Sequence, residues 1–123
     1  MALLENLEST FIEEYESALL LIKNSKDISA TILLSKSLFA LVDYLILKRY
    51  QKFPKNHTER FRILEAKEPE LYALVDLVWA KYTDTYSKPG SKESIALLKN
   101  AIMEIVNKHE TNSEKIKAVL AKK

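Results

Sequence analysis

The sequence predicts an all-α protein, an up-and-down bundle of four or five helices, and three observations carry that expectation. Apolar residues recur at spacings of three and four through most of the chain, as they do along the buried face of a helix. Only one glycine and three prolines occur in 123 residues, which leaves few places to turn and favours long helices with short connections. No stretch alternates apolar and polar residues strongly enough to compete as a strand, and no internal repeat is visible. At 47% hydrophobic and 29% charged residues, the composition is that of one soluble globular unit. Residues 1–110 are expected to form the bundle, and 111–123 a short amphipathic tail that frays or docks on a partner.

Leu4, Leu7, Phe11, Tyr15, Ala18 and Ile22 share one face of a first helix, expected to end near Lys23. In the NSKD segment, Ser25 or Asp27 is placed to cap the next helix, which runs from Ile28 to about Gln51. Its middle is apolar nearly all round, so it belongs at the centre of the fold or partly against another subunit. Pro54 forbids helical continuity, since it lacks an amide proton and clashes with the preceding turn. Asn56 with Glu59 three residues on resembles a capping box and starts a third, shorter helix carrying Phe61 and Leu64. Pro69 suits the first position of a fourth helix, whose inward or seam residues are Leu71, Leu74, Val75, Val78, Trp79, Tyr82 and Tyr86. A loop is expected at SKPGS (87–91). Ser91 then caps a fifth helix with the stripe Ile95, Leu98, Ala101, Ile102, Ile105 and Val106.

Several function classes are disfavoured by composition. Without cysteine there is no disulfide framework or thiolate metal site, and the two histidines lack ligand-like spacing, so no metal and no cofactor are expected. A single glycine rules out the P-loop, the dinucleotide fingerprint and the nucleophile elbow. The acidic N-terminal segment does not resemble a secretory signal or transit peptide. No apolar run reaches about 18 residues. No membrane association and a cytoplasmic address are therefore the default expectations.

Net charge is only +2, but it is unevenly spread: residues 1–16 hold five Glu and no Lys or Arg, whereas 48–62 hold six basic residues and one acid, Glu59. That second segment, KRYQKFPKNHTERFR, contains the residues with the best claim to a site. His57 at the start of a helix, with Lys55 and Arg60 near, is suited to hydrogen-bond a phosphate or a base edge, and adjacent cations favour its neutral form. Arg49, Lys52, Lys55 and Arg60 can track a polyanion, with Tyr50 and Phe53 offering faces for bases to stack on. The same residues also suit a plainer role, a packing histidine beside a cap and cations that complement a helix dipole. Trp79, Tyr82 and Tyr86 follow helical spacing and read as core or subunit interface before ligand cage.

The central helix and the turn after it, SKSLFALVDYLILKRYQKFPKNHTERFRIL, followed by two more helices, resemble the HEPN domain (higher eukaryotes and prokaryotes nucleotide-binding) over roughly residues 5–110. The PKNH turn with Arg60, Phe61 and Leu64 carries the most specific part of the likeness. The resemblance implies a bundle that forms homodimers, often partnered by a small nucleotidyltransferase protein, with roles in nucleotide or RNA handling and in toxin–antitoxin pairs. Ribonucleases of that family are recognised by Arg, four to six residues, then His, often with Tyr two positions later. Here seven residues including a proline separate Arg49 from His57, and Arg60 and Arg62 follow the histidine. No catalytic residue is therefore assigned, and a binding role without ribonuclease activity is expected, because positioning and protonating a scissile phosphodiester depends on that spacing. His57 matches a turn histidine of similar non-ribonuclease members, with Arg60 beside it. The alternative expectation is a homodimeric protein-interaction module with no nucleotide ligand.

Overall fold

A computed structural model describes residues 2–84, 91–109 and 111–121 of the chain, and among them six helices and no strand are found. These are α1 (Ala2–Lys23), α2 (Asp27–Tyr50), α3 (His57–Lys67), α4 (Pro69–Asp84), α5 (Lys92–Lys108) and α6 (Glu114–Leu120). The all-α class and a bundle-like packing hold. The helix count exceeds four or five because the C-terminal piece forms a helix of its own. Residues 87–90 of the expected SKPGS loop, Tyr86 and the Tyr82 side chain lie outside the described residues.

From Ser37 to Leu47 every side chain of α2 is buried, which its lack of a polar face requires. α1 packs along it most extensively, and α4 and α5 cover other sides. The sequence shows no long uninterrupted apolar run, yet by length and a mean hydropathy of 1.7 over 18 residues α2 reaches the dimensions of a membrane span. In this fold 83% of that window is buried against the other helices, as in any central core helix. The stripes of α1, α4 and α5 complete the core with Phe11, Tyr15, Ala18, Leu71, Val75 and Val78, and with all six predicted residues of α5.

Helix starts follow local chemistry where the sequence supplies it. Asn56 Oδ1 accepts from the Glu59 amide at 2.9 Å, Ser91 Oγ from the Ser94 amide at 3.0 Å, and Pro69 opens α4. The α1–α2 turn differs from expectation. Lys26 occupies the N-cap of α2 with no side-chain cap, and Ser25 instead closes α1 in the left-handed region at φ 59°. The Lys26 amide donates to the Leu21 carbonyl at 2.8 Å and the Ser25 amide to the Ile22 carbonyl at 3.0 Å, the paired bonds of a Schellman closure. This turn satisfies the end of α1 at the expense of the start of α2.

The C-terminal segment docks on its own chain. Ile116 and Val119 are 0% and 2% exposed and belong to the common core, with α6 packed on α1. Ser113 joins the two helices chemically: its hydroxyl donates to Glu8 Oε2 at 2.5 Å and accepts from the Ile116 amide at 3.2 Å.

Ser25 and Gln51 both hold positive φ, 59° and 54°, at exposed helix ends where glycine is the usual solution. Replacing either with glycine is expected to stabilise the fold by about 0.5–1 kcal/mol, the left-handed penalty of a side chain offset in part by the entropy glycine loses on folding. Urea unfolding of Ser25→Gly and Gln51→Gly measures it; an unchanged midpoint in both would contradict the strain argument.

Candidate functional site

The Asn56 cap sets the first turn of α3, in which His57 and Arg60 lie three residues apart on one side of the helix. Arg60 is only 8% exposed. Its Nε donates to Asp43 Oδ1 at 2.6 Å and its Nη2 to Asp43 Oδ2 at 2.7 Å, a two-pronged pair between α3 and the middle of α2. The remaining nitrogen, Nη1, donates to His57 Nδ1, and the guanidinium carbon lies 5.0 Å over the Phe39 ring. Because Nδ1 accepts, the neutral imidazole carries its proton on Nε2.

Burial, and secondarily the charge of Arg60, holds the His57 pKa below its ordinary value. The expected neutral form is thus favoured, with burial rather than the adjacent cation as the main cause. The imidazole sits at ring-centroid distances of 4.9 Å from Phe39 and 4.2 Å from Trp79, and Trp79 in turn meets Phe61 at 5.9 Å. Trp79 therefore forms part of an aromatic cluster around the histidine. Burial also pushes the Asp43 carboxyl upward, with the hydrogen bonds and charge of Arg60 pulling against it.

His57, Arg60 and Asp43 form one side of a cleft of about 290 Å³ between α1, α2 and α3. α1 contributes Leu7, Thr10 and Glu14, and α2 contributes Lys36, Phe39 and Ala40. Each set follows three- and four-residue spacing, so one stripe from each helix lines the opening. Glu14 Oε1 is buried with no hydrogen-bond partner among the described residues. Burial raises the Glu14 pKa; Lys36 acts against this and neighbouring Glu13 adds to it.

The other basic candidates divide into two groups. Arg49 Nη1 donates to Glu68 Oε2 at 2.9 Å and its Nη2 to the His109 carbonyl, while Lys48 reaches the Asn112 carbonyl at 3.3 Å. Tyr50 donates to the same Glu68 oxygen at 2.5 Å, and Lys67 lies 5.5 Å over its ring. Arg49 and Tyr50 thus tie the end of α2 to the α3–α4 junction and to the end of α5. Lys52, Lys55 and Arg62 are exposed with no ion pair among the described residues, and Phe53 is 43% exposed.

Sequence reasoning brings His57 and Arg60 together but misses Asp43, Glu14 and Lys36. Two of these left a signal. Asp43 is the lone acid in the apolar stretch of α2, and Glu14 falls on the core stripe of α1, three residues from Phe11 and four from Ala18. A charge at a core register position is the mark of a buried partner or a site.

Fold and geometry define an all-α bundle whose short third helix closes a polar cleft. No family model, curated protein or solved structure matches this chain.

Two measurements check the geometry. Arg60→Ala strands the Asp43 carboxylate and is expected to cost about 3–5 kcal/mol, whereas the double variant Asp43→Leu, Arg60→Met recovers most of that loss; denaturant unfolding compares them. In proton NMR, His57 should titrate with a midpoint below 6.5. A depressed folded pKa means that the neutral ring adds stability fully present above the unfolded value and lost as pH falls through the folded one. A His57 midpoint at or above 6.5 contradicts the burial of its ring.

Proposed function

We propose that the chain is a non-catalytic, HEPN-like helical module that binds a nucleotide or an RNA element through the turn between α2 and α3. The observation that carries this reading is the exposed set Lys52, Phe53, Lys55 and Arg62, cations and an aromatic face without internal partners among the described residues, on the segment leading into α3 and on α3 itself. Single-stranded nucleic acid is held by such a combination, phosphates on cations and bases on rings. Arg60 and Arg49 play supporting roles in this reading, since both guanidinium groups are engaged within the fold. A non-catalytic role accords with the state of His57: its Nδ1 is occupied by Arg60, and Arg60 is neutralised by Asp43. A cytoplasmic homodimer acting with a nucleotidyltransferase partner, as in toxin–antitoxin pairs, completes the proposal.

A second reading, a homodimeric interaction module with no nucleotide ligand, draws support from Leu20 and Ile28. They flank the α1–α2 turn and are 62% and 47% exposed.

Labelled single-stranded RNA is the discriminating probe. If Lys52, Lys55 and Arg62 neutralise three phosphates, affinity should fall about 20-fold between 50 and 200 mM salt, from a log–log slope of about −2. Lys52→Ala, Lys55→Ala should weaken binding and flatten the slope to about −0.7. Arg60 is left intact in this variant so that folding is not disturbed. Absence of salt-sensitive RNA binding by the wild type, together with a stable dimer in sedimentation velocity, would favour the interaction module.

A further inference from the structure

The cleft contains a feature that a site for phosphates alone does not explain. Of its two acidic groups, Asp43 is matched by Arg60 on both oxygens, whereas Glu14 Oε1 is buried with no hydrogen-bond donor among the described residues. A buried carboxyl oxygen without a donor is costly, and α1 carries it on its core stripe where an apolar residue would pack. The neighbouring cation, Lys36, is itself exposed and makes no ion pair with Glu14 among the described residues. Glu14 lines an opening shared with two flat rings, Phe39 and the His57 imidazole, and with the polar Thr10 and Lys36. At about 290 Å³ the space is near the lower limit of ligand pockets, about 300 Å³, and suits one ring system rather than an extended molecule.

We propose that this cleft receives a single guanine base, with Glu14 accepting from its N–H edge. The inference rests on the nucleotide- or RNA-binding reading and deepens it. Guanine presents two adjacent donors, N1–H and the N2 amino group, and an ionised carboxylate is the side chain that accepts such a pair with both oxygens. Adenine offers only its N6 amino group beside an acceptor nitrogen, and uracil one ring N–H between two carbonyls, so neither satisfies the carboxylate as fully. Guanine also carries the O6 and N7 acceptors, and the tautomer imposed by Arg60 leaves His57 with an Nε2–H to donate. Recognition of a splayed base through its Watson–Crick edge is the usual means by which proteins read single-stranded RNA. Lys36, an exposed cation on the same lining, would be available to the attached phosphate. Lys52, Lys55 and Phe53 on the turn would hold the flanking nucleotides.

The test displaces labelled single-stranded RNA of mixed sequence from the full chain with GMP, AMP and UMP, using wild type, Glu14→Gln and the Lys52→Ala, Lys55→Ala variant. The wild type should prefer GMP over AMP by about tenfold or more, the discrimination a good two-point contact to a base edge provides. Glu14→Gln, which keeps the shape but replaces one acceptor oxygen with a donor, should lose that preference while keeping the salt dependence of RNA binding. RNA binding with the same base preference in wild type and Glu14→Gln overturns the guanine site but leaves the cationic turn standing. No RNA binding by the wild type overturns both. Agmatine, a free guanidinium, is the control for a partner's arginine: its binding to the cleft without any GMP binding also overturns the inference. If Glu14→Gln fails to fold, GMP-induced amide shifts in the wild type decide, since they must centre on Glu14, Phe39 and His57.

Discussion

The pair between Arg60 and Asp43 is the contact on which the site depends. α3 is 11 residues long and buries only Arg60 and Leu64, too little apolar surface to fix a helix firmly by packing alone. Two charge-assisted bonds to the middle of α2 supply the missing constraint and also define its geometry, since a planar fork meets a carboxylate in few orientations. Burying both ions is costly, and apolar residues of similar size would hold the helix about as well. The ionic solution does something the apolar one does not: its spare nitrogen orients His57 and selects its tautomer. Position of the helix, tautomer of the imidazole and the third wall of the cleft all follow from one guanidinium.

That arrangement changes how the basic segment at 48–62 is understood. Counted as charges, its six cations look equivalent. Placed in the fold, they separate by what they touch. Arg49 and Lys48 reach Glu68 and the backbone of the segment after α5, so they fasten the end of α2 to distant parts of the chain. Arg60 faces inward, and Lys52, Lys55 and Arg62 face solvent. The last three have no ion pair or hydrogen bond among the described residues, which leaves their charge open to a polyanion.

Much of the fold is legible in the sequence, because helix registers and starts rest on local chemistry. Asn56, Pro69 and Ser91 each act within their own first turn, and the α5 stripe needs nothing beyond periodicity. Ser25 is harder to read, since the same residue type can cap the following helix or close the preceding one, and the left-handed closure wins here. The site is less legible for a different reason. Arg60 and Asp43 lie 17 positions apart on different helices, and no local pattern announces that they meet. Asp43 and Glu14 do announce themselves as charges on apolar faces, but periodicity shows only that they are buried, not what partners them. α6 illustrates the same limit: its amphipathic pattern is plain, whereas nothing local shows that its Ser113 cap meets the distant Glu8.

The docking of α6 bears on the cleft in turn. Leu7, Thr10 and Glu14 line the opening from one side of α1, while Glu8 on the same helix is bonded to Ser113 and the apolar residues of α6 pack into the shared core. α1 is therefore held from two directions, by α2 along its length and by the C-terminal helix at its N-terminal half. Anchoring of this kind fixes the backbone of α1, and with it that wall of the cleft. Under the proposed binding of a small flat ligand, a wall held in this way would lower the ordering cost. The C-terminal segment thus belongs to the architecture of the site even though none of its residues lines the cleft.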